Sequence, residues 1–199
     1  QKGQVVSYVK ESFDKDYYSS DELEASIDQA ILDYNTAGGT ENVKKKKFEV
    51  KDQNAELTMS YASGDDYSKF NQVTFFTGDV LTAYQAGYDF AGKFQSVEKG
   101  QVTGADVTGN DILNSYNYGL LILTEPILVK VPGNIVYASD NVEITGKKSA
   151  RVLSEAEAGA EAQEPETNED GAISLSPVSS GSAKETEGST AALAYILYE

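Results

Sequence analysis

The first apolar-rich stretch, Gly3 to Phe13, is dense in Val and Tyr and predicts a strand. Leu23, Ile27, Ala30, Ile31 and Tyr34 then recur at helical spacing, and Asn35-Thr36-Ala37-Gly38-Gly39 supplies a stop. Two alternating runs, Lys46 to Val50 and Ala55 to Tyr61, flank Lys51-Asp52-Gln53-Asn54 and predict a hairpin with Ala55, Leu57, Met59 and Tyr61 on one face. A short helix is expected around Asp65 to Phe70, a strand at Val73 to Phe76, and a second short helix from Asp79 to Ala86, closed by Gly87. Phe94 to Val97 reads as a strand and Asp111 to Ser115 as a single helical turn.

From Leu120 the pattern changes to strands alone: LLILT, ILVKV, NIVYA and NVEIT, around Pro132-Gly133 and Ser139-Asp140-Asn141 turns. Mixed elements followed by strands predict an α+β fold, a largely antiparallel sheet covered by one main amphipathic helix and two or three short ones. Ser154 to Asp170 and Ser179 to Thr190 are rich in acidic, small and polar residues, with almost nothing to bury, and a strand is expected between them at Ala172 to Leu175. Residues 154–190 therefore read as an acidic low-complexity excursion. The apolar tail Ala194-Tyr195-Ile196-Leu197-Tyr198 is expected to return to the sheet, so that 1–153 and 191–199 form a single domain.

The start of the main helix has a competing reading. Asp14-Lys15-Asp16 opens like a calcium loop, but an EF-hand counted from Asp14 puts Tyr18 at position 5, Ser19 at position 6 and Ala25 at position 12. All three are wrong for that chemistry. Taken as a helix start, Ser19 is the N-cap, Glu22 completes a capping box, and Tyr18 with Leu23 forms a hydrophobic staple. The helix is the stronger reading, and no metal site is expected.

Charge narrows the partners. Sixteen basic residues against 32 acidic ones leave a formal net charge of −16, so nucleic acid, bound largely through phosphate neutralisation, is not an expected partner. Self-repulsion of that size favours a monomer. The chain contains no Cys, His or Trp, which excludes disulfides, thiol catalysis and the commonest general base and metal ligand. No apolar run is long enough to span a bilayer. A start at Gln1 is what a processed mature form or a trimmed stretch would have.

Catalytic motifs are present only in fragments. Ser12-Phe13-Asp14-Lys15 spells S-x-x-K and Ser139-Asp140-Asn141 spells S-D-N, the serine β-lactamase pair, but Ile144-Thr145-Gly146 lacks the lysine of K-T-G. Gly146-Lys147 has Asn141 where a phosphate loop needs glycine, and no G-x-S-x-G or G-x-G-x-x-G occurs. No catalytic residue and no cofactor is expected from these fragments. A glycosidase-like carboxylate pair needs only two placed acids; Asp65, Asp66, Asp79 and Asp89 are conceivable members, each more simply a cap or turn residue. Lys44 to Lys47 could touch anionic polymer or lipid, and reads more simply as a charged strand start that blocks edge pairing. Tyr84, Tyr88, Phe90 and Phe94 cluster around Gly87 and are the candidate ligand-binding residues, with core packing as the plainer reading.

A set of residues carries a resemblance: Gly3-Gln4-Val5, Phe13-Asp14-Lys15-Asp16-Tyr17-Tyr18, Glu22-Leu23, Tyr34-Asn35, Tyr61, Asp66-Tyr67, Phe70-Asn71, Ala86-Gly87-Tyr88-Asp89-Phe90, Val131-Pro132-Gly133 and Ile135-Val136-Tyr137. The chain resembles a family of uncharacterised lipoproteins secreted by Gram-positive gut bacteria. The resemblance implies an export signal, removed on maturation, and a lipid-modified cysteine upstream. The expected protein is then a non-enzymatic module, extracytoplasmic and lipid-anchored to the cell membrane, that binds an unknown protein or glycan. An extracytoplasmic hydrolase using paired carboxylates and a structural spacer without ligand are the alternatives.

Overall fold

The computed structural model describes residues 3–13, 19–161 and 192–199. In chain order the elements are β1 (Val5–Ser12), α1 (Ser20–Gly38), β2 (Val43–Lys51), β3 (Asn54–Tyr61), α2 (Gly64–Asn71), β4 (Phe75–Asp79), α3 (Val80–Gln85), β5 (Phe94–Glu98) and β6 (Gln101–Val107). They continue as α4 (Gly109–Asn114), β7 (Gly119–Leu123), β8 (Leu128–Lys130), β9 (Ile135–Ser139), β10 (Val142–Gly146), β11 (Ser149–Val152), α5 (Glu155–Glu161) and β12 (Ala194–Tyr198). The fold is α+β and its strand pairs are antiparallel.

The strands form three sheets: β1-β3-β2, β10-β11-β8, and a six-stranded β4-β7-β12-β9-β5-β6. The tail strand β12 sits inside the largest sheet, between β7 and β9. Strand-sized apolar runs explain that position. Leu121 and Leu123 of β7 and Ala194 and Ile196 of β12 face one core cluster, while Leu120, Ile122, Tyr195 and Leu197 face the other. A strand buried on both faces reads as continuous apolar sequence rather than alternation. The first cluster draws on all three sheets, with Val43, Met59 and Tyr61 from one, and Val142, Ala150 and Val152 from another.

The long helix starts where the capping pattern put it. Glu22 N donates to Ser19 Oγ at 3.3 Å, and Gly39 at φ +63° ends the helix. Its apolar stripe is only half-buried: Ile27, Ile31 and Tyr34 lie against the first cluster. The staple residue Tyr18, and Asp14 and Asp16 of the calcium reading, lie outside the described residues, as does the strand expected at Ala172 to Leu175. The first part of the expected acidic excursion is helical. In α5, Glu157 N donates to Ser154 Oγ while Ser154 N donates to Glu157 Oε2 at 3.0 Å, a local cap that composition did not suggest. The expected strand at Val73 to Phe76 begins two residues later, and β6, β8 and β11 bring the sheets to their full width.

The S-D-N fragment is structural. Ser139 Oγ donates to Asn141 Oδ1 at 2.6 Å and accepts from Tyr195 N at 2.8 Å, and Asn141 Nδ2 donates to Leu193 O at 3.4 Å. These bonds fasten the start of β12 to the β9–β10 turn.

Candidate functional site

The candidate aromatic residues are organised by a turn at the end of α3. Asp79 caps that helix, its Oδ1 accepting from Thr82 N at 2.7 Å. After Ala86 the chain reverses at Gly87, whose φ of +91° lies in the region that glycine enters without strain. Tyr88 N then donates to Ala83 O at 3.1 Å, and Asp89 Oδ1 accepts from Ala91 N at 2.9 Å. The turn directs alternate rings inward. Tyr88 packs on Phe76 at a centroid distance of 5.2 Å, and Phe90 on Tyr195 at 5.6 Å.

Opposite this turn stands α4, capped by a complete box. Thr108 N donates to Asp111 Oδ2 at 2.9 Å, and Asp111 N donates to Thr108 Oγ1 at 3.4 Å. Ile112, fully buried, holds the helix to the second core cluster. The approach is close: a Cβ on Gly109 would lie 2.2 Å from Phe90 O, so only glycine lets the two segments meet.

Between them lies an open cleft of about 310 Å³, lined by Tyr84, Tyr88, Asp89, Phe90, Ala91, Thr108, Gly109, Asn110 and Leu113. Tyr84 stands at its edge with 59% of its surface exposed. Three of the four aromatic candidates therefore share the cleft. The fourth, Phe94, is buried in β5 against Tyr195 at 5.7 Å and supports the floor from beneath. The α4 residues were missed because β5 and β6 separate them from the aromatic turn in sequence; the T-x-x-D of Thr108 and Asp111 marked a helix start but no partner.

Among the described residues the lining includes one carboxylate and no basic side chain. Leu113 of the lining is exposed, and further exposed apolar groups stand at Leu81 of α3 and Tyr116 after α4. Leu81 N donates to Tyr116 O at 3.4 Å, which joins the two segments.

A larger, shallower depression of about 710 Å³ runs along the end of α1 beside β2, lined by Asp28, Ile31, Leu32, Asn35 and Lys44 among others. Its charged groups are paired: Lys44 bonds Glu41 at 3.2 Å, and Asp28 is held by Lys45 at 2.7 Å. Beside it, Lys45 also bonds Glu24 at 2.6 Å, and Lys47 bonds Glu49 at 2.6 Å. Three lysines of the basic run are thus matched by carboxylates, and Lys46 occupies the bulge between Lys45 and Lys47 on an edge strand. That geometry suits an edge guard better than an anion site.

The conceivable catalytic acids each have another task. Asp66, buried, accepts from Tyr34 Oη at 3.1 Å, Asn42 Nδ2 at 3.0 Å and Ser63 Oγ at 2.5 Å. Burial alone would raise its pKa, but these bonds together with the Lys69 charge bring it below the ordinary carboxylate value. Asp79 is lowered by the N–H groups at the start of α3, first that of Thr82. Asp65 sits exposed in the first turn of α2. A glycosidase acid requires a shift in the opposite direction. Among the described residues no group of three or more acids is placed to hold a metal ion, and no helix is long and apolar enough to cross a membrane.

No protein-family model matches this chain, no curated protein matches it, and no solved structure does.

Proposed function

We propose that this chain is a non-enzymatic binding domain, held outside the cytoplasmic membrane by an upstream lipid anchor, that uses the α3–α4 cleft to bind a neutral glycan. The observation that carries this reading is the exposed Tyr84 ring beside a cleft with one carboxylate, continued by exposed apolar side chains on both bordering helices. A sugar presents an apolar C–H face and a rim of hydroxyl groups. Tyr84 offers the stacking surface, and Asp89 and Asn110 offer acceptors and donors for the rim. The absence of basic side chains from the lining disfavours an anionic ligand. The membrane attachment rests on the family resemblance.

Titration of 15N-labelled protein with oligomers of N-acetylglucosamine and of glucose tests the reading. Saturable amide shifts confined to residues 84–91 and 108–113 are expected, with Tyr84→Ala weakening binding about tenfold, about 1.4 kcal/mol. Shifts that avoid the cleft, or release of new reducing ends during the titration, would sink it. Metabolic labelling of the full-length precursor with an alkynyl fatty acid tests the anchor separately.

A further inference from the structure

The two edges of the β1-β3-β2 sheet are built differently. The β2 edge is bulged between Lys45 and Lys47 and carries a run of lysines. The β1 edge has no such guard. It pairs with β3 in unbroken register from Val5↔Tyr61 to Ser12↔Asn54, contains no proline, and exposes Val6 (62%), Tyr8 (60%) and Val9 (42%). Among the described residues no strand pairs with its backbone groups on the outer side, the arrangement that invites another chain to pair. The long helix α1 packs over β2, at the opposite edge of this sheet from β1.

The sequence of the strand specifies the kind of chain. Val5-Val6-Ser7-Tyr8-Val9 has the same apolar pattern read in either direction about Ser7. A two-fold axis through Ser7 sets Val6 opposite Tyr8 of a second copy and Val5 opposite Val9, each pair twice. Every exposed apolar side chain of the strand then meets an apolar partner. The flanking charges fall outside this block, Lys10 opposite Gln4 and Glu11 opposite Gly3, so no like charges face one another. Shifting the axis to Tyr8 would set Val6 against Lys10 and Val5 against Glu11, and a shift towards Lys10 would oppose two lysines.

We propose that β1 is a self-association edge, pairing antiparallel with β1 of a second copy about Ser7 to make a continuous six-stranded sheet. Five paired residues span about 17 Å. Such a contact falls below the roughly 1,200 Å² of standard interfaces, so the dimer is transient and concentration-dependent. The net charge of −16 on each copy opposes it, and added salt strengthens it.

Because the chain has no cysteine, Ser7→Cys introduces one thiol, and residues directly opposite in an antiparallel pair lie within disulfide reach. Under mild oxidation Ser7→Cys is expected to form a covalent dimer at least about tenfold faster than Tyr8→Cys or Ser12→Cys. Sedimentation of the unmodified chain from about 1 μM to about 1 mM should show the mass rising towards twice the monomer value. Val6→Lys with Tyr8→Lys, both at exposed positions, should abolish the rise without lowering the melting temperature. Faster cross-linking through Tyr8→Cys overturns the register and with it the proposal. So does a monomeric mass at every concentration, whatever unrelated extended peptides bind the edge.

Discussion

Asp66 joins three separate segments through one carboxylate, and its removal gives a prediction whose size follows from geometry. Tyr34 comes from α1, Asn42 from the approach to β2, and Ser63 is the cap of α2. Hydrogen bonds to an ionised acceptor are worth about 1.5–3 kcal/mol each. The three share one acceptor group and their donors are only partly buried, so their effects do not add in full. Asp66→Ala should therefore cost about 3–4 kcal/mol, which for a chain of this length lowers the melting temperature by about 6–16 °C. Asp66→Asn keeps an acceptor for Tyr34 and Asn42 and should cost about 1–2 kcal/mol. Both variants also remove a titrating group. The folded-state pKa of Asp66 lies below its unfolded value of about 3.9, so its contribution is fully present above that value and is lost as the pH falls through the folded value. Urea unfolding followed by circular dichroism from about pH 3 to about pH 7 reads both effects, with the acid-side slope flattened in Asp66→Asn. Asp66→Ala within about 0.5 kcal/mol of the parent, or an unchanged slope in Asp66→Asn, refutes the reasoning.

Gly109→Ala should force α4 away from the Phe90 carbonyl at a cost of about 1–3 kcal/mol, and glycan binding should weaken more than stability does; calorimetric titration beside a thermal melt compares the two. Arg151 holds Glu143 and Glu157, each at 2.8 Å, and its hydrogen bond is the first cause that brings the Glu157 carboxyl down to about 2. In Arg151→Ala the Glu157 side-chain carbon resonance should titrate closer to the ordinary carboxylate range, with faster amide exchange across α5. Ile112→Ala, at a fully buried position, should cost about 2–5 kcal/mol in denaturant unfolding and loosen the wall of the cleft.

Much of the local structure was legible in the chain. Ser19 with Glu22 announced the start of α1 because a cap is satisfied by atoms within one turn. The hairpin of β2 and β3 followed from two alternating runs around a short turn. The aromatic cluster around Gly87 pointed to three cleft residues, since the turn that presents them is a local device. Its other wall was invisible, because α4 arrives through a glycine-mediated approach between segments about twenty residues apart in sequence.

Amino-acid order alone thus determined most of the elements, though not β6, β11 or α5, together with the mixed α and antiparallel β character and the absence of thiol and imidazole chemistry. Tertiary packing decided the rest. β9 and β10 flank one short turn in the sequence, yet they enter different sheets, with β9 against β12 and β5 and β10 against β11. Periodicity records that a residue has a buried face but not which other face covers it. That choice depends on pairings across long stretches of chain, such as Ser139 with Tyr195 and Gly109 with Phe90, whose energies exist only once the fold has brought them together.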